Sequence, residues 1–190
     1  MSTEPKRPRY WWESFSPDAA RAGAELAVLR RGIGKEAGSV PEMWRFHRAS
    51  LDSYEADTGL PSARLRAEHT ALTLFAVHQQ SQRKSMHQEK TGLGQALRRL
   101  RQSDKYKSNP ETLDTRVNVL ATSFDVAELA HHLRGLTTLL RGIQQPLDYT
   151  RLYYDVLGWH SPEGQDRARR RWGAQYYDWA DAKPQPRTSA

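Results

Sequence analysis

Not one of the 190 residues is a cysteine, which excludes disulfides, thiolate zinc sites and cysteine nucleophiles together and makes a reducing cytoplasm the expected compartment. No apolar run approaches the roughly 20 residues that a membrane span needs. The opening "MSTEPKRPRYWWE" lacks the apolar centre of a secretory signal, so a soluble intracellular protein with no membrane partner is expected. Alternating strand patterns joined by hairpin turns are missing as well, and the fold class expected is all-α. Catalytic motifs are equally scarce. There is no Gly-x-Ser-x-Gly and no His-Glu-x-x-His. "GLGQAL" has neither the third glycine of a dinucleotide fingerprint nor the GK[ST] of a P-loop, and Gly92 and Gly94 are read as releasing a loop into a helix. Glu128 and His131 form one Glu-x-x-His, where a di-metal bundle needs two plus two further glutamates. His131 and His132 project about 100° apart on a helix and do not share a metal. No catalytic residue, metal or cofactor is expected, and the chain is read as a non-enzyme.

Positive charge is abundant. Net charge is +7 and the sequence pI about 9.8. Residues 83–107 alone hold eight lysines and arginines against two acids, Glu89 and Asp104. Within this window Leu93, Ala96, Leu97 and Leu100 fall on one side of a helix, with Arg98, Arg101 and Lys105 together on another and Arg99 beside them. Cations without interleaved carboxylates repel one another and call for an external anion. The apolar side has no Trp or Phe to wedge into lipid, so a nucleic-acid backbone is the anion expected.

Helix signals punctuate the rest of the chain. Ser16 and Pro17 open "SPDAARAGAELAVLRRG", which Gly32 stops. Ser39 and Glu42 have capping-box spacing ahead of "PEMWRFHRASL". Ser62 caps a third helix whose stripe of Leu65, Leu72, Phe75 and Ala76 runs to about Gln82, and residues 83–92 read as a basic loop. "RVNVLATSF" buries Val117, Leu120, Ala121 and Phe124. Asp125 and Glu128 box a long helix with Val126, Leu129, Leu133, Leu136 and Leu140 inward and Arg134 and Arg141 sharing another face, ended by Gly142 and Pro146. Asp148 caps "YTRLYYDVLG", and Ser161 with Pro162 starts a last helix that carries Arg167, Arg169, Arg170 and Arg171. The organisation expected is a flexible basic and aromatic arm over residues 1–15, a helical bundle over 16–107, a second over 108–181 and a flexible tail over 182–190. The two bundles are small helical subdomains packed together. Trp44, Tyr106 and Trp172 are read as packing residues in preference to base-stacking ones.

"AELAVLRRGIGKEAGSVPEMWRF", "TGLGQALRRLR" and "TRVNVLATSFDVAELAHHLRGLTTLLRGIQQPLDYTRLYYDVLGW" occur in that order. This ordered set, over roughly residues 24–172, resembles the CasB family, the small subunit of the type I-E CRISPR Cascade complex. The resemblance implies an all-helical, non-enzymatic subunit, present in two copies head to tail beside the large and backbone subunits. It also implies that the subunit stabilises the R-loop formed by crRNA and target DNA and guides the displaced strand. Residue by residue, it implies nucleic-acid contacts at Arg30, Arg31, Arg66, Lys84, Lys90, Arg98, Arg116 and Arg134, and more loosely at Arg169; the helix faces add Arg99, Arg101 and Arg141. Two other readings stand beside it. One is a helical scaffold for acidic protein partners. The other is a helix-turn-helix DNA-binding regulator built on "TSFDVAELAHHLRG", in which Val126, Leu129 and Leu133 are expected to be buried.

Overall fold

Four of the six helix-start signals become real caps in the computed structural model, which describes residues 10–49 and 53–178. The side chains of Ser62, Asp125, Asp148 and Ser161 accept from the backbone N–H three residues on, at 2.8–3.2 Å. Each satisfies a donor that the helix cannot. Eight α-helices result among the described residues: α1 Ala22–Arg31, α2 Ser53–Thr58, α3 Ala63–His78, α4 Leu93–Arg101, α5 Glu111–Ala121, α6 Val126–Gly142, α7 Tyr149–Gly158 and α8 Pro162–Tyr177. Extended pairing among these residues is limited to one isolated bridge between His87 and Leu147.

α3 is the centre. Every residue from Ala67 to His78 is buried, so beyond its exposed first turn the helix is a core element on all sides, where an apolar stripe was expected. Its carboxylate and hydroxyl groups are satisfied locally. The Glu68 carboxylate accepts from the N–H groups of Arg48 and Ala49 at 2.8–2.9 Å, and Thr70 and Thr73 donate to carbonyls one turn back. α3 packs against α1, α6 and α7, while α4 packs against α8 and α6. The main contacts therefore join the segment 16–107 to the segment 108–181, and one continuous core runs from Tyr10 to Tyr176.

Several expectations need correcting. α1 begins at Ala22, because residues 16–21 form separate i+3 turns, Ala19 N–H to Ser16 O and Ala22 N–H to Ala19 O. "PEMWRF" is a 3-10 helix, Pro41–Phe46. Its supposed capping box is used elsewhere: the Ser39 hydroxyl donates to Glu36 O at 2.7 Å and Glu42 pairs with Arg31 at 3.2 Å. Trp44 is 62% exposed instead of packed, with its indole N–H on Gly38 O. α2 carries no signal strong enough to announce it. α3 stops at His78, not Gln82, because the Gln79 side chain donates to Gln82 O and Lys84 O and accepts from Met86 N–H, folding the chain into the basic loop. Phe124 is 87% exposed. α5 ends before it, so helical spacing no longer applies, and its N–H is held by the Glu128 carboxylate at 2.7 Å.

The expected arm shortens from its C-terminal side. Residues 10–15 belong to the body: Trp12 is 1% exposed, Tyr10 stacks on it at 4.8 Å, and the Trp12 indole donates to Thr150 Oγ1 at 3.0 Å. Residues 1–9 of the arm and the tail 182–190 lie outside the described residues.

Two glycines set helix spacing. A Cβ on Gly94 would lie 2.4 Å from the Trp172 carbonyl oxygen, and one on Gly164 would lie 1.9 Å from that of Gly158. Gly94 thus lets α4 and α8 touch backbone to backbone, a closer duty than the loop release expected of it.

Candidate nucleic-acid interface

α4 places three arginines within four residues, and tertiary structure neutralises most of that charge. The Arg101 guanidinium binds both oxygens of Asp114 on α5, at 2.8 and 3.1 Å. The Tyr176 hydroxyl donates to the same carboxylate at 2.6 Å. Hydrogen bonding from Arg101 and then Tyr176 holds the Asp114 carboxyl below its usual range. Arg98 pairs with Asp178 just past α8, and Arg99 donates to Gln145 Oε1 at 3.3 Å. α4 ends at Arg101, so Lys105 leaves the expected cationic face and its ammonium lies over the Tyr106 ring. The expectation of uncompensated charge on this helix is therefore corrected: the carboxylates come from distant sequence.

Other expected contacts are structural ties. Arg31 pairs with Glu42. Arg141 donates to Val77 O at 3.2 Å and Gln80 Oε1 at 2.9 Å, beside a shallow cleft between the ends of α3 and α6. Arg169 donates to Ala121 O at 2.6 Å, satisfying a carbonyl at the end of α5, while lying over the Trp159 ring. Tyr106 and Trp172 are buried as expected. Arg30, Lys84, Lys90, Arg116 and Arg134 make no side-chain hydrogen bond or ion pair among the described residues, which leaves their charge available.

Two of the expected residues meet in one place. A groove of about 560 Å³ lies between the loop after α1, the outer side of α3 and the first half of α6. Arg66 from α3 and Arg134 from α6 line it, together with Lys35, against one carboxylate, Glu36. Arg66 uses Nε on Pro61 O at 3.0 Å, leaving its terminal amino groups without a bond among the described residues. The loop turns through Gly34 at φ +71° and Gly38 at φ +81°, conformations that glycine adopts without strain. It is anchored by His69, whose Nε2–H donates to Gly32 O at 2.9 Å. The groove floor is aliphatic, with Leu74 and Val77 from α3 and Val126, Ala127 and Ala130 from α6. Lys35 escaped sequence reasoning; its signal is a lysine framed by glycines directly after a helix stop.

Among the described residues no group of three His, Asp or Glu side chains is placed to hold a metal, and His131 lines the groove while His132 lies 3.7 Å from Glu128. No described helix is long and apolar enough to cross a membrane.

A family model, that of the CRISPR-associated protein Cse2, matches residues 25–177. The solved structure of CasB from Thermobifida fusca is 35% identical over 84% of this chain and 87% of that one, with a TM-score of 0.65. CasB from Thermus thermophilus shares the fold at 21% identity, with a TM-score of 0.59 over 85% of this chain and 90% of that one. Curated proteins yield no match. An all-helical body with the expected caps, and a family match that spans nearly all of it, place the chain in the Cse2/CasB family of CRISPR Cascade subunits.

Proposed function

We propose that this protein is the non-catalytic small subunit of a type I-E Cascade surveillance complex and grips nucleic-acid backbone to stabilise the guide RNA–target DNA R-loop in cytoplasmic antiviral defence. Its partners are crRNA, target and displaced DNA, the large and backbone subunits, and a second copy of itself. One observation carries the reading. Arg66 and Arg134 come from helices far apart in sequence, yet they line one groove with Lys35, and Arg134 has no carboxylate partner among the described residues. Arg30, Arg116, Lys84 and Lys90 extend the supply of unpaired cations over other parts of the surface.

Such a surface neutralises phosphates and releases condensed counterions, with little dependence on base sequence. R-loop exchange is nearly balanced in energy, so a few backbone contacts tip it without any chemical step. The test is an Arg66→Ala/Arg134→Ala variant, titrated by fluorescence anisotropy against single-stranded and duplex DNA over a range of salt. Affinity should fall and the slope of log K against log salt should flatten by roughly 1.5. Unchanged affinity and slope would remove this reading.

A further inference from the structure

A backbone grip needs only cations on a convex surface, whereas here they rim a hollow. We infer that this groove receives a single nucleobase everted from the bound strand, its face on the aliphatic floor and its flanking phosphates on Arg66 and Arg134. The inference rests on the backbone-binding reading above. The volume, about 560 Å³, lies within the range of small-ligand pockets, about 300–1,000 Å³. Ala127 and Ala130 stand three apart on α6 and so share its groove side. Methyl groups at both positions leave an open slot where longer side chains would close it.

The polar wall has one hydrogen-bonding sense. The Thr70 and Thr73 hydroxyls give their protons to backbone carbonyls at 2.9 and 3.0 Å, so their oxygens present lone pairs only. His69 is 6% exposed, and its Nε2–H is committed to Gly32 O. That fixes the tautomer and leaves Nδ1 a buried acceptor without a partner. Two acceptors along one wall, the Thr70 and Thr73 oxygens, suit the amino and imino N–H groups on the edge of a base. Neither a bare sugar–phosphate strand nor a lipid headgroup offers that donor edge beside a flat apolar face.

The experiment compares two matched single strands, one carrying bases and one abasic throughout, bound to the full chain at fixed salt. The base-bearing strand should bind at least about fivefold more tightly. Ala130→Leu and Ala127→Leu, which fill the slot without altering charge, should abolish that preference and leave abasic binding intact. Ala127 is exposed, so its variant carries the test even if Ala130→Leu lowers the melting temperature. Equal binding of both strands by the wild type, or a preference retained in both variants, overturns the base pocket and leaves the backbone reading standing. Loss of binding to neither strand in Arg66→Ala/Arg134→Ala overturns both.

Discussion

At the scale of single residues, the arginines divide into those that hold the protein and those that face outward. Arg101 belongs to the first group. Arg101→Ala strips Asp114 of its bidentate partner, so it should cost about 1 kcal/mol in denaturant unfolding while leaving DNA affinity unchanged. Sequence could not sort the groups, because Arg101 and Arg134 are equally arginines on helices; the difference is Asp114, thirteen residues from one of them. Buried imidazoles add a pH dependence. Burial lowers the pKa of His47 to about 4 and of His78 to about 3, so both stay neutral when folded. The unfolded chain takes up those protons near pH 6.5. Proton uptake then favours unfolding, and stability should fall as pH drops from about 6.5 toward 4. Glu68, whose carboxyl burial pushes up, works in the opposite sense over the carboxylate range. Thermal melts across this window should show the decline, and a His78→Asn variant, which preserves a polar group facing Tyr149, should show a shallower one.

At the scale of helices, the α7–α8 corner is set by contact between Gly158 and Gly164. Gly164→Ala would drive a methyl group into the Gly158 carbonyl, where no side chain can yield. It should destabilise by about 1–3 kcal/mol or more, read as a lower denaturation midpoint, whereas Gly135→Ala, with open space around it, should be neutral or stabilising. The element map was legible where a capping side chain and an apolar period agreed, as at Ser62, Asp125, Asp148 and Ser161. It failed at Ser39 and Glu42, whose spacing fits a capping box but whose side chains serve a neighbouring loop and Arg31. It also failed at α3, whose stripe was read from Leu65, Leu72 and Phe75. Nine of its twelve buried residues, including Glu68, His69 and Thr73, are neither leucine nor phenylalanine, and only the surrounding helices show why they are inside.

At the scale of the molecule, what composition presents as an arm is partly a clasp. Trp12 is fully buried, bonded to Thr150, which in turn donates to Glu13 at 2.5 Å, and Tyr10 packs on Tyr153. Trp12→Ala should cost about 3–5 kcal/mol, measurable as a large drop in melting temperature. Net charge by segment was equally misleading at this scale, since the acids that balance α4 sit on α5 and beyond α8, while the groove that unites Arg66, Arg134 and Lys35 draws on three separate stretches. The clasp also fixes a timetable for biosynthesis. Its two halves are 138 residues apart, so a nascent chain emerging from the ribosome carries its unsheltered tryptophans until translation has passed α7. Maturation therefore finishes only when α7 has closed over the segment around Trp12.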